Sequence, residues 1–213
     1  MSIPEIDVEQ VMSLLSQCYE KALKGIPKSK TAQQIADEYL TRYCDQDLAV
    51  KKLVNAQIIK CTTSGFITSL GGAITLPIAI PANIASVMYI QLRMIAAIAY
   101  IGGYDPTEDE VQALAYACLA GMSAGDICKV AGVEAVNKIA TKIIMKKITG
   151  EFCRKINRKI GFRFITKAGE KGIINLTKVV PVVGGFVGGG IDYLGTKTVA
   201  QKAYNAFVKD VII

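Results

Sequence analysis

The chain has 213 residues, 51% of them hydrophobic and 20% charged, with a formal net charge of +7. It contains no histidine, which excludes zinc sites of the histidine type, histidine acid–base chemistry and Ser-His or Cys-His nucleophiles. The length suits one domain over residues 1–213, and the mean hydropathy of +0.34 is high because the charges are unevenly distributed.

Met1 to Asp7 lacks the basic start and apolar core of a signal peptide, so the expectation is a protein that stays inside the cell. From Val8 to Leu23, Val8, Val11, Met12, Leu15, Tyr19, Ala22 and Leu23 recur at three- and four-residue spacings, as on one face of a surface helix. Gly25 and Pro27 stop it. The pattern repeats from Thr31 to Tyr43 with Ile35, Ala36, Tyr39 and Leu40, and from Asp45 to Lys60 with Leu48, Leu53, Val54 and Ile58. Three amphipathic helices therefore lead in.

From Cys61 to Tyr104 the chain carries a single charge, Arg93, in 44 residues. Pro77 and Pro81 divide this run into apolar arms at about 62–76 and 82–104, because proline breaks the helical hydrogen-bond ladder and restricts the residue before it. A central helical hairpin is expected. Each arm approaches the roughly 20 apolar residues that cross a bilayer, but Arg93 at mid-arm would cost roughly 2.5–3.5 kcal/mol or more there. Three states stay open: a buried helix pair, shallow or conditional membrane insertion, and full spanning.

Thr107-Glu108-Asp109-Glu110 after Pro106 has the form of a capping box, starting a helix that runs to about Gly121. Another helix is expected from about Ala124 through a basic segment, with breaks at Gly150 and Gly161. Between Lys138 and Lys171 eleven Lys or Arg face only Glu151 and Glu170, a local charge of +9 that leaves the remainder at −2. Ile144, Ile148, Phe152, Ile156, Ile160 and Phe164 recur every fourth residue there, interleaved with Lys147, Arg154, Lys155, Arg158, Lys159, Arg163 and Lys167. An apolar stripe beside a cationic one is the pattern of helices that lie on anionic bilayers, and those seven cations are the candidate lipid-binding residues. A solvated outer face of a bundle gives the same pattern. Nucleic acid is disfavoured, since no recognition motif or aromatic platform accompanies the charges.

In the last third, Gly184 with Gly188 and Gly185 with Gly189 form overlapping GxxxG spacings, with Gly71 and Gly72 as a counterpart in the first apolar arm. Such faces let helix backbones approach closely, within the fold or in contact with lipid or another copy. Gly190-Ile191-Asp192-Tyr193-Leu194-Gly195-Thr196-Lys197-Thr198 only approximates a phosphate loop: it has one residue too many before the lysine and no preceding strand. Val179 to Val183 is β-prone, but no alternating strand pattern stands out, and an amphipathic helix closes the chain from Asp192 to Val211. Asp192, a lone charge beside the glycines, is the candidate partner of Arg93 in a low-dielectric interior. Each charge reaching solvent separately is the alternative.

The six cysteines, Cys18, Cys44, Cys61, Cys118, Cys128 and Cys153, form no CxxC pair and read as small core residues in a reducing compartment. No metal site or cofactor is expected, and no catalytic residue: Glu108, Asp109, Glu110, Asp126 and Glu134 are scattered, and the first three serve best at a helix start.

Tyr19-Glu20-Lys21-Ala22-Leu23-Lys24-Gly25, Thr31 to Leu40, Thr63-Ser64-Gly65-Phe66 through Leu76-Pro77 to Gly102-Gly103-Tyr104-Asp105-Pro106, and Pro181-Val182-Val183-Gly184-Gly185 to Phe207 resemble the EcsC family, bacterial proteins often encoded near an ABC-type transporter. The resemblance covers nearly the whole chain, with 138–171 matching least. It implies a helical, membrane-associated protein and supplies no catalytic residues to carry over.

The expectation is an all-α, single-domain helical bundle with a central apolar hairpin and a glycine-rich helix, placed at the cytoplasmic face of the cell membrane, peripheral or partly inserted. Its expected role is that of a non-catalytic, lipid-interacting accessory or effector protein. A soluble scaffold or adaptor and a membrane-perturbing toxin-like protein are the alternatives. Partners expected are an anionic membrane or lipid, with a homo-oligomer or membrane protein as further candidates.

Overall fold

A computed structural model describes residues 8–27, 29–62, 82–132, 139–146, 150–151, 153–158 and 190–212. The three leading helices are α1 (Val8–Lys24), α2 (Ala32–Tyr43) and α3 (Gln46–Thr62). On α1 the face carrying Val11, Leu15, Tyr19 and Ala22 is buried, as its spacing requires. At the start of α2, Thr31 Oγ1 accepts from the Gln34 amide at 3.1 Å and the Thr31 amide donates to Gln34 Oε1 at 3.0 Å, a reciprocal cap.

Helix α4 (Ala82–Ile101) starts directly after Pro81 and is the centre of the bundle, touched by α1, α2, α3 and the helices at Asp109–Leu119 and Gly190–Phe207. Every residue from 85 to 99 is buried. A helix that is apolar on all sides finds no solvent-facing position, so its neighbours must wrap it completely. This corresponds to the second arm of the expected hairpin. The first arm, including Gly71 and Gly72, and the glycines Gly184, Gly185, Gly188 and Gly189 lie outside the described residues, as does Val179 to Val183.

The chain leaves α4 through Gly102 and Gly103 and enters α5 (Asp109–Leu119). The capping box expected at Thr107 and Glu110 is not formed. Asp105 Oδ1 accepts from both the Thr107 amide at 2.8 Å and the Thr107 hydroxyl at 2.7 Å, and the helix starts two residues later with Glu108 as an N-cap lacking a side-chain bond. The Asp105 carboxylate, two residues away, closes an Asx turn on Thr107 and holds it outside the helix. A second reciprocal cap, like that of α2, forms at α6 (Ala124–Ala131), between Ser123 and Asp126.

Helix α6 ends much earlier than expected, with Gly132 left-handed at φ +66° and its amide bonded to the Cys128 carbonyl. A two-residue antiparallel pair follows, with Ile139 opposite Ile212 and Ala140 opposite Val211, joining β1 (Ile139–Ala140) to β2 (Val211–Ile212). Helix α7 (Thr141–Met145) ends at Lys146 and residues 150–151 and 153–158 are helical, in place of one helix running on from α6; residues 147–149 and Gly161 lie outside the described residues. The closing helix, α8, is Gly190–Phe207 and stops short of Val211, which is used in β2.

Two contacts set the register of the core. Gln91 Nε2 donates to Thr196 Oγ1 at 3.0 Å, and a Cβ built on Gly102 would meet the Phe207 carbonyl oxygen at 1.9 Å, so α8 runs parallel to α4 with the backbones touching at one end. Gln46 Nε2 donates to the Ile101 carbonyl at 3.0 Å, so α3 runs antiparallel to α4. The end of α3 and the starts of α4 and α8 therefore share one pole. The ends of α4 and α8, the β1–β2 pair and the start of α5 share the other.

Candidate functional site

The cationic surface is built on the second pole. The Thr141 hydroxyl, fully buried, donates to the Ala206 carbonyl at 2.7 Å, and its amide donates to the Asp210 carbonyl at 3.1 Å. The Lys142 amide reaches Asp210 Oδ1 at 3.3 Å. With the β1–β2 pair and the buried Ile144, these bonds clamp α7 against the end of α8. A five-residue helix is too short to hold itself; here the tertiary bonds fix it. Its outward side carries Lys142, Ile143 and Lys146, and Ile143 is 51% exposed.

The helical residues 150–151 and 153–158 are arranged in the same way. Cys153 and Ile156 face inward, and Arg154, Lys155 and Arg158 face solvent. Lys155 pairs with Glu151 at 2.8 Å on an open surface, which holds the Glu151 carboxyl below its usual range and contributes little to stability. The acidic start of α5 borders these helical residues: burial first, then Glu110 and Asp109, raise the Cys153 thiol pKa.

Of the seven expected lipid-binding residues, Arg154, Lys155 and Arg158 are therefore exposed and share a face. Lys147, Lys159, Arg163 and Lys167 lie outside the described residues. Of the apolar stripe, Ile144 and Ile156 are buried as its periodicity demands, and Ile148, Phe152, Ile160 and Phe164 lie outside the described residues. Lys142, Ile143 and Lys146 were not singled out from the sequence, because they become a surface only once Thr141 and Ile144 are anchored.

Among the described residues Arg93 is the largest fully buried side chain, 1% exposed in the middle of α4. Its guanidinium donates to Ser29 Oγ, to Gln57 Oε1 at 3.2 Å and to Tyr89 Oη at 3.4 Å, and lies 5.1 Å from the centre of the Tyr89 ring. The fork of donors on arginine suits such a distributed set of neutral acceptors. The side chain of Asp192, its expected partner, lies outside the described residues, and that pairing stands as a proposal.

Four of the cysteines, Cys18, Cys118, Cys128 and Cys153, are buried and free, and burial pushes the Cys18 and Cys118 thiols up to about 12, so they are inert at neutral pH. Cys44 departs from the core reading: it is exposed, because it ends α2 in a left-handed conformation at φ 53°. Cys61 lies outside the described side chains. Among the described residues there is no group of three or more His, Cys, Asp or Glu that could hold a metal ion. None of the described helices is long and apolar enough to cross a membrane.

The sequence profile of the EcsC protein family matches residues 2–209. The chain belongs to the EcsC family. No curated protein and no solved structure matches it. For an EcsC protein the buried α4 and the clamped basic turn are thus the features from which a function has to be argued.

Proposed function

We propose that this EcsC protein is a non-catalytic accessory or effector protein that rests on an anionic membrane at the cytoplasmic face of the cell, through the pole bearing Lys142, Ile143, Lys146, Arg154, Lys155 and Arg158. The observation that carries the reading is Ile143, half in solvent between two lysines on a turn held rigidly from behind. Burying an isoleucine in the headgroup region while cations meet lipid phosphates is how interfacial helices bind. Glu151 takes one of five cations, and each of the others contributes about 1 kcal/mol near an anionic surface, less where the carboxylates of Asp109 and Glu110 lie close.

The test is co-sedimentation with neutral and anionic liposomes at low and high salt. Binding to the anionic vesicles that is lost at high salt, and lost in Lys142→Glu/Lys146→Glu/Arg154→Glu/Arg158→Glu, is expected. Binding indifferent to salt and to these charges would point instead to the apolar segment 63–81, which lies between α3 and α4 in the sequence. No binding to either vesicle would favour a scaffold or adaptor, a reading supported by the complete burial of residues 85–99.

A further inference from the structure

Among the described residues three large aliphatic side chains are exposed: Ile143 beside the basic turn's lysines, and Leu48 and Ile59 on α3, the last 62% exposed. No described aliphatic side chain is exposed on α1 or α2. Helix α3 buries Ala49, Val50, Leu53 and Ile58 on its inner side, and its outer side is Leu48, Lys51, Lys52, Asn55 and Ile59. Spacings of three, four, seven and eleven from Leu48 put these five on one face. Leu48 and Ile59 stand about 16 Å apart along it, with both lysines between them. Lys51 and Lys52 are exposed and make no ion pair with a described residue. One flank of the face opens into a cleft of about 420 Å³ between α3 and α8, floored by Val50, Val54, Ile58 and Ala200. The face begins beside the basic turn: Lys209 binds Asp47 at 2.7 Å, and its neighbour Asp210 accepts from the Lys142 amide at 3.3 Å.

We infer that α3 is a second membrane-contact element, lying in the headgroup region of an anionic bilayer with Leu48 and Ile59 inserted and Lys51 and Lys52 on lipid phosphates. The bundle then docks along the edge that runs from the α7 turn to the end of α3. This rests on the reading that the chain docks on an anionic membrane, and adds a second contact and an orientation to it. Charge selects the occupant. The outer face carries two cations and no anion, and the nearest carboxylate, Asp47, is already bound to Lys209. Such a face complements a negative surface, and exposed aliphatic residues among lysines are what an interfacial helix inserts. A twofold pairing of two α3 faces would instead bring Lys51 and Lys52 of one protomer towards those of its partner, which like charges oppose. Helix α2 is different in kind: it exposes Asp37, pairs Glu38 with Lys30 and Arg42, and exposes no aliphatic residue, which makes it the reference face for a test.

The chain has no tryptophan, so a single introduced one reports its own surroundings. Ile59→Trp and, on α2, Gln33→Trp are each mixed with vesicles of phosphatidylcholine and phosphatidylglycerol, with and without bromine on the acyl chains. Blue-shifted emission and quenching by the brominated lipid are expected for Ile59→Trp, and neither for Gln33→Trp. Lys51→Glu/Lys52→Glu is expected to lower partitioning into these vesicles at least tenfold, and Leu48→Ser/Ile59→Ser to weaken it at low and high salt alike. All of these positions are exposed, and circular dichroism of each variant checks the fold. Absence of quenching in bound Ile59→Trp, equal quenching in Gln33→Trp, or unchanged partitioning of Lys51→Glu/Lys52→Glu would each overturn the assignment. So would a dimer in solution that Leu48→Ser/Ile59→Ser dissolves, which would give the face to a second copy. Loss of binding in the variants of the basic pole alone would remove α3 from the contact and leave the reading of that pole standing; loss in the α3 variants alone would move the contact to α3. A chain that binds no vesicle would overturn both.

Discussion

Helix α4 and the α7 turn each contain one residue that contradicts its surroundings, and they do so in opposite directions. In α4 a charge, Arg93, is sealed inside an apolar helix; in the α7 turn an apolar residue, Ile143, is held out among lysines. Around Arg93 the bundle supplies Ser29, Gln57 and Tyr89 from three separate places in the chain. Around Ile143 the described residues leave the side chain half in solvent, although the turn itself is fixed by Thr141, Ile144 and β2. A misfit that the fold accommodates belongs to stability, whereas a misfit that the fold holds in place without covering points outward, to a partner.

That contrast can be broken most severely at Arg93. Arg93→Ala leaves Gln57 and its neighbours without their buried donor and is expected to cost about 3–5 kcal/mol in chemical denaturation. If Asp192 shares the same interior, Asp192→Ala is also strongly destabilising, and the double variant is less destabilised than the two losses combined. Strictly additive losses would end the proposed pairing.

Next in size is Gly102→Ala, which drives a Cβ into the Phe207 carbonyl and forces α8 away from α4. About 3 kcal/mol is expected, at the upper end for overpacking. Gly103→Ala is the control: the position has φ +80° but open space around it, so about 1 kcal/mol of backbone strain is all it should lose. Equal losses at both positions would mean that the α4–α8 approach is not the constraint.

The smallest expected effect is that of Ile143→Ser, within about 0.5 kcal/mol in unfolding stability, as for other exposed positions. The same variant should lower liposome binding measurably. A large stability loss would make Ile143 a core residue after all and remove the contrast.

Much of this was legible in the residues. Spacings of three and four placed α1 to α3 within two residues of their ends, and Pro81 marked the start of α4. A reciprocal cap at Thr31 and Gln34 formed at the start of the expected α2, while at Thr107 both amide and hydroxyl donate to Asp105 and the helix starts after Glu108 instead. The long basic helix was overestimated: Gly132 stops α6, and the C-terminal strand claims Ile139 and Ala140. Nothing local announces a two-residue strand whose partner lies more than seventy residues away.

The sequence by itself determined the all-α class, the family, the central position of the apolar arm and the sign of the charge in 138–171, because hydrophobic period and charge are properties of neighbours along a chain. Which charges and which isoleucine share a surface, what meets Arg93, and that α3 and α8 leave a cleft between them were decided only in the tertiary structure. Those features join residues tens to more than a hundred positions apart, such as Gln91 with Thr196 and Asp47 with Lys209. Their spacing in sequence carries no period; it follows from how the helices pack around α4.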